Sequence, residues 1–266
     1  MKTSKALFSP GTTWLVRERD FNVPAKMDFG LLRLLPGSRH CFSAKAEVVV
    51  VLLHGRARVT VAGQSVVATR RSVFEQGPFT VSLGRDEKAE IQSQTASEWV
   101  VMRTTTSKAR GARLYRPADC AGEDRGAGLA QGACRRLVRT IFDYTARPDS
   151  SFVVGEVINL PGRWSSYPPH HHPQPEIYHY RFTAPQGYGH AETGERVHRV
   201  MSGDTTVIPG GCDHAQVSAP GYGMYYLWVV RHLPRNPYRG FTVTKAHQWL
   251  LDPHQQGWKP SPHLFA

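Results

Sequence analysis

The stretch "WSSYPPHHHPQPEIYHYRF", residues 164–182, decides how the rest of the chain is read. Three histidines follow two prolines, and Glu176 lies four residues after His172. Proline locks its own φ and pushes the preceding residue toward extended backbone. Pro168, Pro169 and Pro173 therefore keep this stretch out of a helix. In extended chain, side chains alternate between faces. His170 and His172 then share one face, and His171 points the other way. Glu176 opens an alternating strand in which Tyr178, Tyr180 and Phe182 share its face, while Ile177, His179 and Arg181 take the other. The histidine run is internal, which sets it apart from an affinity tag.

Further along stands "GDTTVIPGGCDH", residues 203–214. A strand is expected over 204–208, a turn at Pro209-Gly210-Gly211, and then His214. A hairpin partner of this kind brings a third imidazole beside the first two. Three neutral imidazoles and one carboxylate suit a divalent transition metal: Zn, Mn, Fe, Co or Ni. The pattern His170-x-His172-x3-Glu176 resembles the first cupin motif, and Gly203-x5-Pro209-x-Gly211-x2-His214 resembles the second. Ser218 stands where the second motif usually ends in Asn. The resemblance implies a cupin barrel with His170, His172, Glu176 and His214 as ligands of one divalent transition metal per chain. Zn2+ or Mn2+ come first, and Fe2+ or Ni2+ fit the same set. By parity His171 is a bystander.

Working outward, the strand rhythm continues in both directions. Upstream, "AEVVVVLLHGRARVTVAGQSVVA" predicts a buried strand over 48–53, a turn at His54-Gly55 and a second strand over 56–61. In that second strand Ala57, Val59 and Val61 face inward and Arg56, Arg58 and Thr60 outward. "RRSVFEQGPFTVSLG" predicts a short strand on either side of Gly77-Pro78. Residues 104–135 lose the rhythm and read as a partly ordered crossing. Strands resume in "FVVGEVINL", "RVHRVM", "TTVIP", "AQVSA" and "MYYLWVVR". No long run has helical spacing. The expected fold is all-β, with two cupin-type barrels: residues 1–135, metal-free and including the crossing, and residues 136–266, metal-binding. His40, Phe42 and Glu47 stand where a first motif belongs in the first half, but no PxGxxH follows.

The formal charge is +12, from 33 basic against 21 acidic residues, so an anionic small substrate is favoured by steering. The basic residues are scattered apart from "CRRLVR", and no zinc finger, RNP-like motif or basic amphipathic helix is present, which argues against nucleic acid. Cys41, Cys120, Cys134 and Cys212 lie far apart without a CxxC, and the opening residues lack the apolar core of a secretion signal. Reduced thiols, a cytoplasmic protein and no membrane association are expected. Barrel edges and apolar strands point to a homo-oligomer.

Longer stretches carry a closer resemblance. "VVGEVINLPGRWSSYPPHHH", "EIYHYRF", "HRVMSGDTTVIPGGCDH" and "APGYGMYYLWVV" resemble 5-deoxy-glucuronate isomerase of myo-inositol catabolism, a bicupin family related to 4-deoxy-L-threo-5-hexosulose-uronate ketol-isomerase. The resemblance is best over residues 150–232, and "TKAHQWLLD" fits the family's tail. His171 replaces the family's usual lysine, and the loop between His172 and Glu176 is shorter than usual. The resemblance implies an aldose–ketose isomerase that converts 5-deoxy-D-glucuronate to 2-deoxy-5-keto-D-gluconate, with a small anionic sugar acid as its partner. Tyr178, Tyr180, His190 and His198 are candidate acid–base groups, with Glu192 nearby. Asp213 is a candidate to orient His214, and Arg181 and Arg199 are candidates for the substrate carboxylate, although parity turns Arg181 away from the metal. A cupin dioxygenase using Fe(II) and a non-catalytic sugar-acid binder are the competing readings.

Overall fold

The computed structural model describes residues 2–3, 9–18, 20, 25–43, 46–105, 108–120, 122–252, 254–255 and 257–265. The chain is all-β, as the rhythm of short apolar runs and Gly/Pro turns predicts. Among the described residues helix is limited to short 3-10 segments, such as Lys245–Leu251. None is long and apolar enough to cross a membrane.

Nine strands from Gly11–Val16 to Ala112–Tyr115 form one sheet system that curls on itself. The second half contributes a seven-stranded and a five-stranded sheet. Sheet membership changes between Tyr115 and Gly122. Ala112–Tyr115 pairs with Thr80–Leu83, whereas Gly122–Arg125 pairs with Arg136–Phe142. Residues 122–125 of the expected crossing thus form an edge strand of the second barrel. Lys2–Thr3 also pairs into the second half, against Thr205 and Thr206.

Two expectations for the first half need correction. His54-Gly55 is not a turn: Glu47–Val61 is one strand that passes from one sheet into the next, with a register shift between Leu52 and His54. Gly55 makes the bend, at φ +113, where a Cβ would lie 2.5 Å from Ser97 Cβ. Ahead of Gly77-Pro78 there is a turn, not a strand: Gln76 N–H donates to Ser72 O at 3.1 Å. The predicted alternation holds, with Ala57, Val59 and Val61 buried inside the first barrel.

Side-chain parity sorts the apolar residues into three cores. Val48, Val50 and Leu52 fill the first barrel with Trp99. Tyr178, Tyr180, Phe182 and Tyr226 fill the second. Between the barrels, Phe29, Leu31, Val49 and Val51 pack against Phe152, Val154, Ile177 and Val229. The strands Phe152–Asn159 and Glu176–Phe182 are therefore covered on both faces.

Charges cross this inter-barrel layer. Arg70, from the first half, donates to Glu156 of the second through Nη1 (2.7 Å) and Nη2 (2.9 Å). The Tyr225 hydroxyl donates to the same carboxylate at 2.6 Å, and Arg70 also donates to the Leu52 carbonyl at 2.9 Å. Both charged side chains are fully buried. Nearby, Arg33 and Arg181 pair with Glu98. Arg181 Nη1 donates to His179 Nε2 at 2.7 Å, so Nδ1 carries the ring proton and faces Thr205 Oγ1 at 2.8 Å.

Losing one partner of a buried pair strands the other charge, at a cost of about 3–5 kcal/mol. Glu156→Gln should therefore lower the unfolding free energy by roughly that amount. The double variant Arg70→Met/Glu156→Leu should lose much less, as read from urea midpoints. Burial and the Arg181 and Arg33 charges hold the His179 ring well below its ordinary value of 6.5. Folded His179 stays neutral where the unfolded ring takes a proton, so stability is lost as pH falls below about 6.5. His179→Gln, which does not titrate, should show a shallower fall in Tm between about pH 7 and pH 5 than the unaltered protein.

Candidate metal centre

The strand Trp164–His171 lies in the five-stranded sheet beside His214–Ser218, with His170 directly opposite His214. Glu176 opens its strand in the other sheet. The loop between them is held against the Pro209–Gly211 turn, where Gly211 N–H donates to His172 O at 2.8 Å. A Cβ on Gly210 would stand 2.0 Å from the Pro173 carbonyl, so the close approach requires glycine there. The PxG turn thus sets His214 against the histidine run.

His172, Glu176 and His214 converge, and their ligand atoms lie within 4.8 Å of one another. His172 Nε2 is 3.1 Å from Glu176 Oε2, and His214 Nε2 is 3.3 Å from the same oxygen. All three residues are buried. Burial alone would raise the Glu176 carboxyl, but the His172 hydrogen bond and the neighbouring His214 bring it down to about 2, so it is a carboxylate. His170 sits beside this group without joining it, its ring 4.5 Å from that of His214 and 4.1 Å from that of Phe241. Burial, reinforced by His214, lowers its pKa to about 3, so the ring is neutral.

The tautomers identify what the cluster suits. His170 Nδ1 faces the Pro168 carbonyl at 3.3 Å, and His214 Nδ1 faces the Cys212 carbonyl at 3.2 Å. A carbonyl only accepts, so Nδ1 donates in each ring, which leaves Nε2 as the nitrogen available to a ligand. The buried His214 Nε2 has no hydrogen-bond partner. His214 Nε2 faces the Glu176 carboxylate oxygen across 3.3 Å, a gap that a proton or a metal ion held by both groups bridges. The donor set of imidazole nitrogen and carboxylate oxygen therefore fits a divalent transition metal. Among the described residues no comparable group forms in the first half.

The remaining sequence candidates separate. His171 turns outward, as parity requires, and its Nδ1 lies 2.7 Å from Asp213 Oδ1. Asp213 is thus engaged by His171, and the Cys212 carbonyl is what orients His214. Tyr178 lines the cavity above the cluster, its hydroxyl 3.1 Å from Ser166 Oγ. The Tyr180 hydroxyl instead donates to Gln216 Oε1 at 2.7 Å and lies 2.9 Å from Thr206 Oγ1, inside the barrel core. His190 is exposed on the Tyr188–Thr193 strand, and His198 is on the edge strand Arg196–Met201. Neither is among the residues lining the cavity, and nor is Glu192. Arg181 is committed to Glu98 between the barrels, and Arg199 lies over the Tyr188 ring at 4.3 Å.

The cavity has a volume of about 350 Å³. Sequence reading missed part of its wall. Tyr238 meets the His172 ring edge-on at 4.9 Å, and Phe241 covers His170. Both come from a segment without strand or helix periodicity, which is placed because Thr242–Val243 pairs with His170 and His171. Tyr226 also lines the cavity, and alternation within "MYYLWVVR" carried that signal.

Comparison with known proteins agrees with this architecture. The chain is 30% identical over 224 residues to the 5-deoxy-glucuronate isomerase of Geobacillus kaustophilus, covering 77% of this chain and 78% of that protein. An IolB-like protein from Salmonella typhimurium LT2 superposes with a TM-score of 0.83 at 24% identity, over 94% of this chain and 99% of that one. A cupin 2 conserved barrel domain protein from Leptotrichia buccalis superposes with a TM-score of 0.54 at 12% identity, over 85% of this chain and 92% of that one. At these identities the two structures speak for the fold, which is of the cupin type. The profile of the KduI/IolB family matches residues 2–250, nearly the full length, and the chain belongs to that family.

Proposed function

We propose that this chain is a metal-dependent aldose–ketose isomerase acting on 5-deoxy-D-glucuronate to give 2-deoxy-5-keto-D-gluconate. One observation carries the reading: the buried His172–Glu176–His214 group lies beside a cavity of about 350 Å³ in a chain whose relatives bear that isomerase name. In this reading His172, Glu176 and His214 hold the metal, and His170 completes the set from the adjacent position. The bound metal, one per chain, with Zn2+ or Mn2+ preferred, supplies Lewis-acid polarisation of the substrate's carbonyl and neighbouring hydroxyl oxygens.

The chain's own groups supply positioning and proton handling. Tyr178 is the one of the four acid–base candidates that lines the cavity, and it carries that role here. Burial and the Glu176 charge raise its pKa well above the ordinary value of 10.0, so its hydroxyl is protonated and donates to a substrate oxygen. Tyr226, stacked on Tyr178 at 4.5 Å, holds the ring in place. The aromatic wall limits water at the reacting carbons.

Turnover of 5-deoxy-D-glucuronate by purified protein, followed by NMR without O2, tests the reading, with metal content measured on the same sample. Anaerobic conversion to the ketose, lost on chelation, is expected. Metal-loaded protein that leaves the aldose unchanged overturns it, and a requirement for O2 assigns the site to oxygen chemistry. His172→Ala and His214→Ala should lose most of the metal while far-UV circular dichroism stays unchanged, and His171→Ala should retain it. Tyr178→Phe should keep its metal but lose roughly 100-fold in kcat.

A further inference from the structure

Two strands at the edge of the second barrel place like charges face to face. Arg125 and Arg136 are directly opposite in the pairing of Gly122–Arg125 with Arg136–Phe142. Like charges at such a position destabilise a sheet. The neighbouring carboxylates leave one of the pair uncompensated. Glu123 pairs with Arg125 at 2.7 Å, and Asp124 pairs with Arg135 at 2.8 Å. Arg136 Nη1 donates to the Cys134 carbonyl at 2.9 Å, and no carboxylate meets it among the described residues.

The same two arginines line the cavity that holds His172 and Glu176. Gly126 adjoins them. A Cβ there would come 2.3 Å from the Cys134 carbonyl oxygen and 2.9 Å from Arg136 Nη1, so glycine is required where these groups pack. Val138 on the same strand as Arg136 and Val157 on the next form apolar wall, and Phe241, Val243 and Leu251 supply apolar wall from the C-terminal segment. The cavity wall thus carries imidazoles and a carboxylate together with two arginines. A planar guanidinium matches a carboxylate through two parallel hydrogen bonds.

We propose that Arg125 and Arg136 form the carboxylate-binding end of the substrate cavity, with Arg136 as the main contact. The assignment rests on the isomerase reading for its choice of sugar acid. It predicts selection of aldoses that carry a carboxylate over those that do not. The expected positions on the opposite sheet edge and the inter-barrel face, Arg199 and Arg181, do not serve this end of the cavity.

The test compares unaltered metal-loaded protein with Arg136→Met, Arg136→Lys and Arg125→Met. Calorimetry with D-glucuronate and with D-glucose reads binding without any need for turnover. Kinetics with 5-deoxy-D-glucuronate separate KM from kcat. A charge-assisted hydrogen bond contributes enough that Arg136→Met should weaken D-glucuronate binding by about 10- to 100-fold. D-glucose binding and metal content should be unchanged, and Tm should not fall, since the opposed like charges are relieved. KM should rise by a similar factor with kcat nearly constant, and Arg136→Lys should recover part of the loss. Arg125→Met, at a side chain 45% exposed, should fold in any case and show a smaller effect of the same sign. Equal loss of D-glucose and D-glucuronate binding, or unchanged D-glucuronate binding in both Met variants, overturns the proposal. If the unaltered protein binds D-glucuronate through these arginines but produces no ketose, the isomerase reading fails and this one stands.

Discussion

The strand Glu176–Phe182 meets protein on both faces, and the molecule is organised around that constraint. One face must supply the interior of the second barrel and the other the layer between barrels. Strict alternation then decides each residue's role. Glu176 reaches the histidines, and Tyr178, Tyr180 and Phe182 fill the barrel. Ile177 enters the inter-barrel core, and Arg181 pairs with Glu98 of the first half. A slip of one residue would exchange the two sets and place a carboxylate in the apolar layer. The first barrel is therefore part of what holds Glu176 in register.

Electrostatics follow the same division. The chain is strongly basic, yet several arginines serve structure rather than ligands. Arg70 is spent on Glu156, Arg181 and Arg33 on Glu98, and Arg103 on Asp28. Of these, Arg70–Glu156 and Arg181–Glu98 join the two halves, and Arg70 and Glu156 are met by further hydrogen bonds from the Leu52 carbonyl and the Tyr225 hydroxyl. Arg136 differs: it lines the cavity, and among the described residues no carboxylate pairs with it. Net charge alone did not single it out.

The cupin barrel carries many activities, so function lies in the site. Here the site combines a buried carboxylate, imidazoles whose tautomers are set by backbone carbonyls, and an aromatic wall. The carbonyls of Pro168 and Cys212 matter alongside the rings, because each engages an Nδ1 and leaves Nε2 available.

What the sequence determined by itself was local. Period-two alternation set the faces of residues 170–182, and the PxG turn before His214 announced a reversal that returns an imidazole to the histidine run, although Thr205–Ile208 and His214–Ser218 lie in different sheets and form no hairpin. Those signals are short-range, because a strand's faces follow from backbone geometry alone. The passage of Glu47–Val61 from one sheet to the next read as a turn, because a bend at glycine carries the same letters as a turn. Tertiary structure decided the rest. It committed Asp213 to His171, sent Arg181 to the other barrel, set Arg125 and Arg136 opposite each other, and laid Tyr238 and Phe241 over the histidines. Each of these depends on which distant segment becomes a neighbour. That choice comes from the collective burial of apolar faces and the pairing of sheet edges, and no single stretch of chain records it.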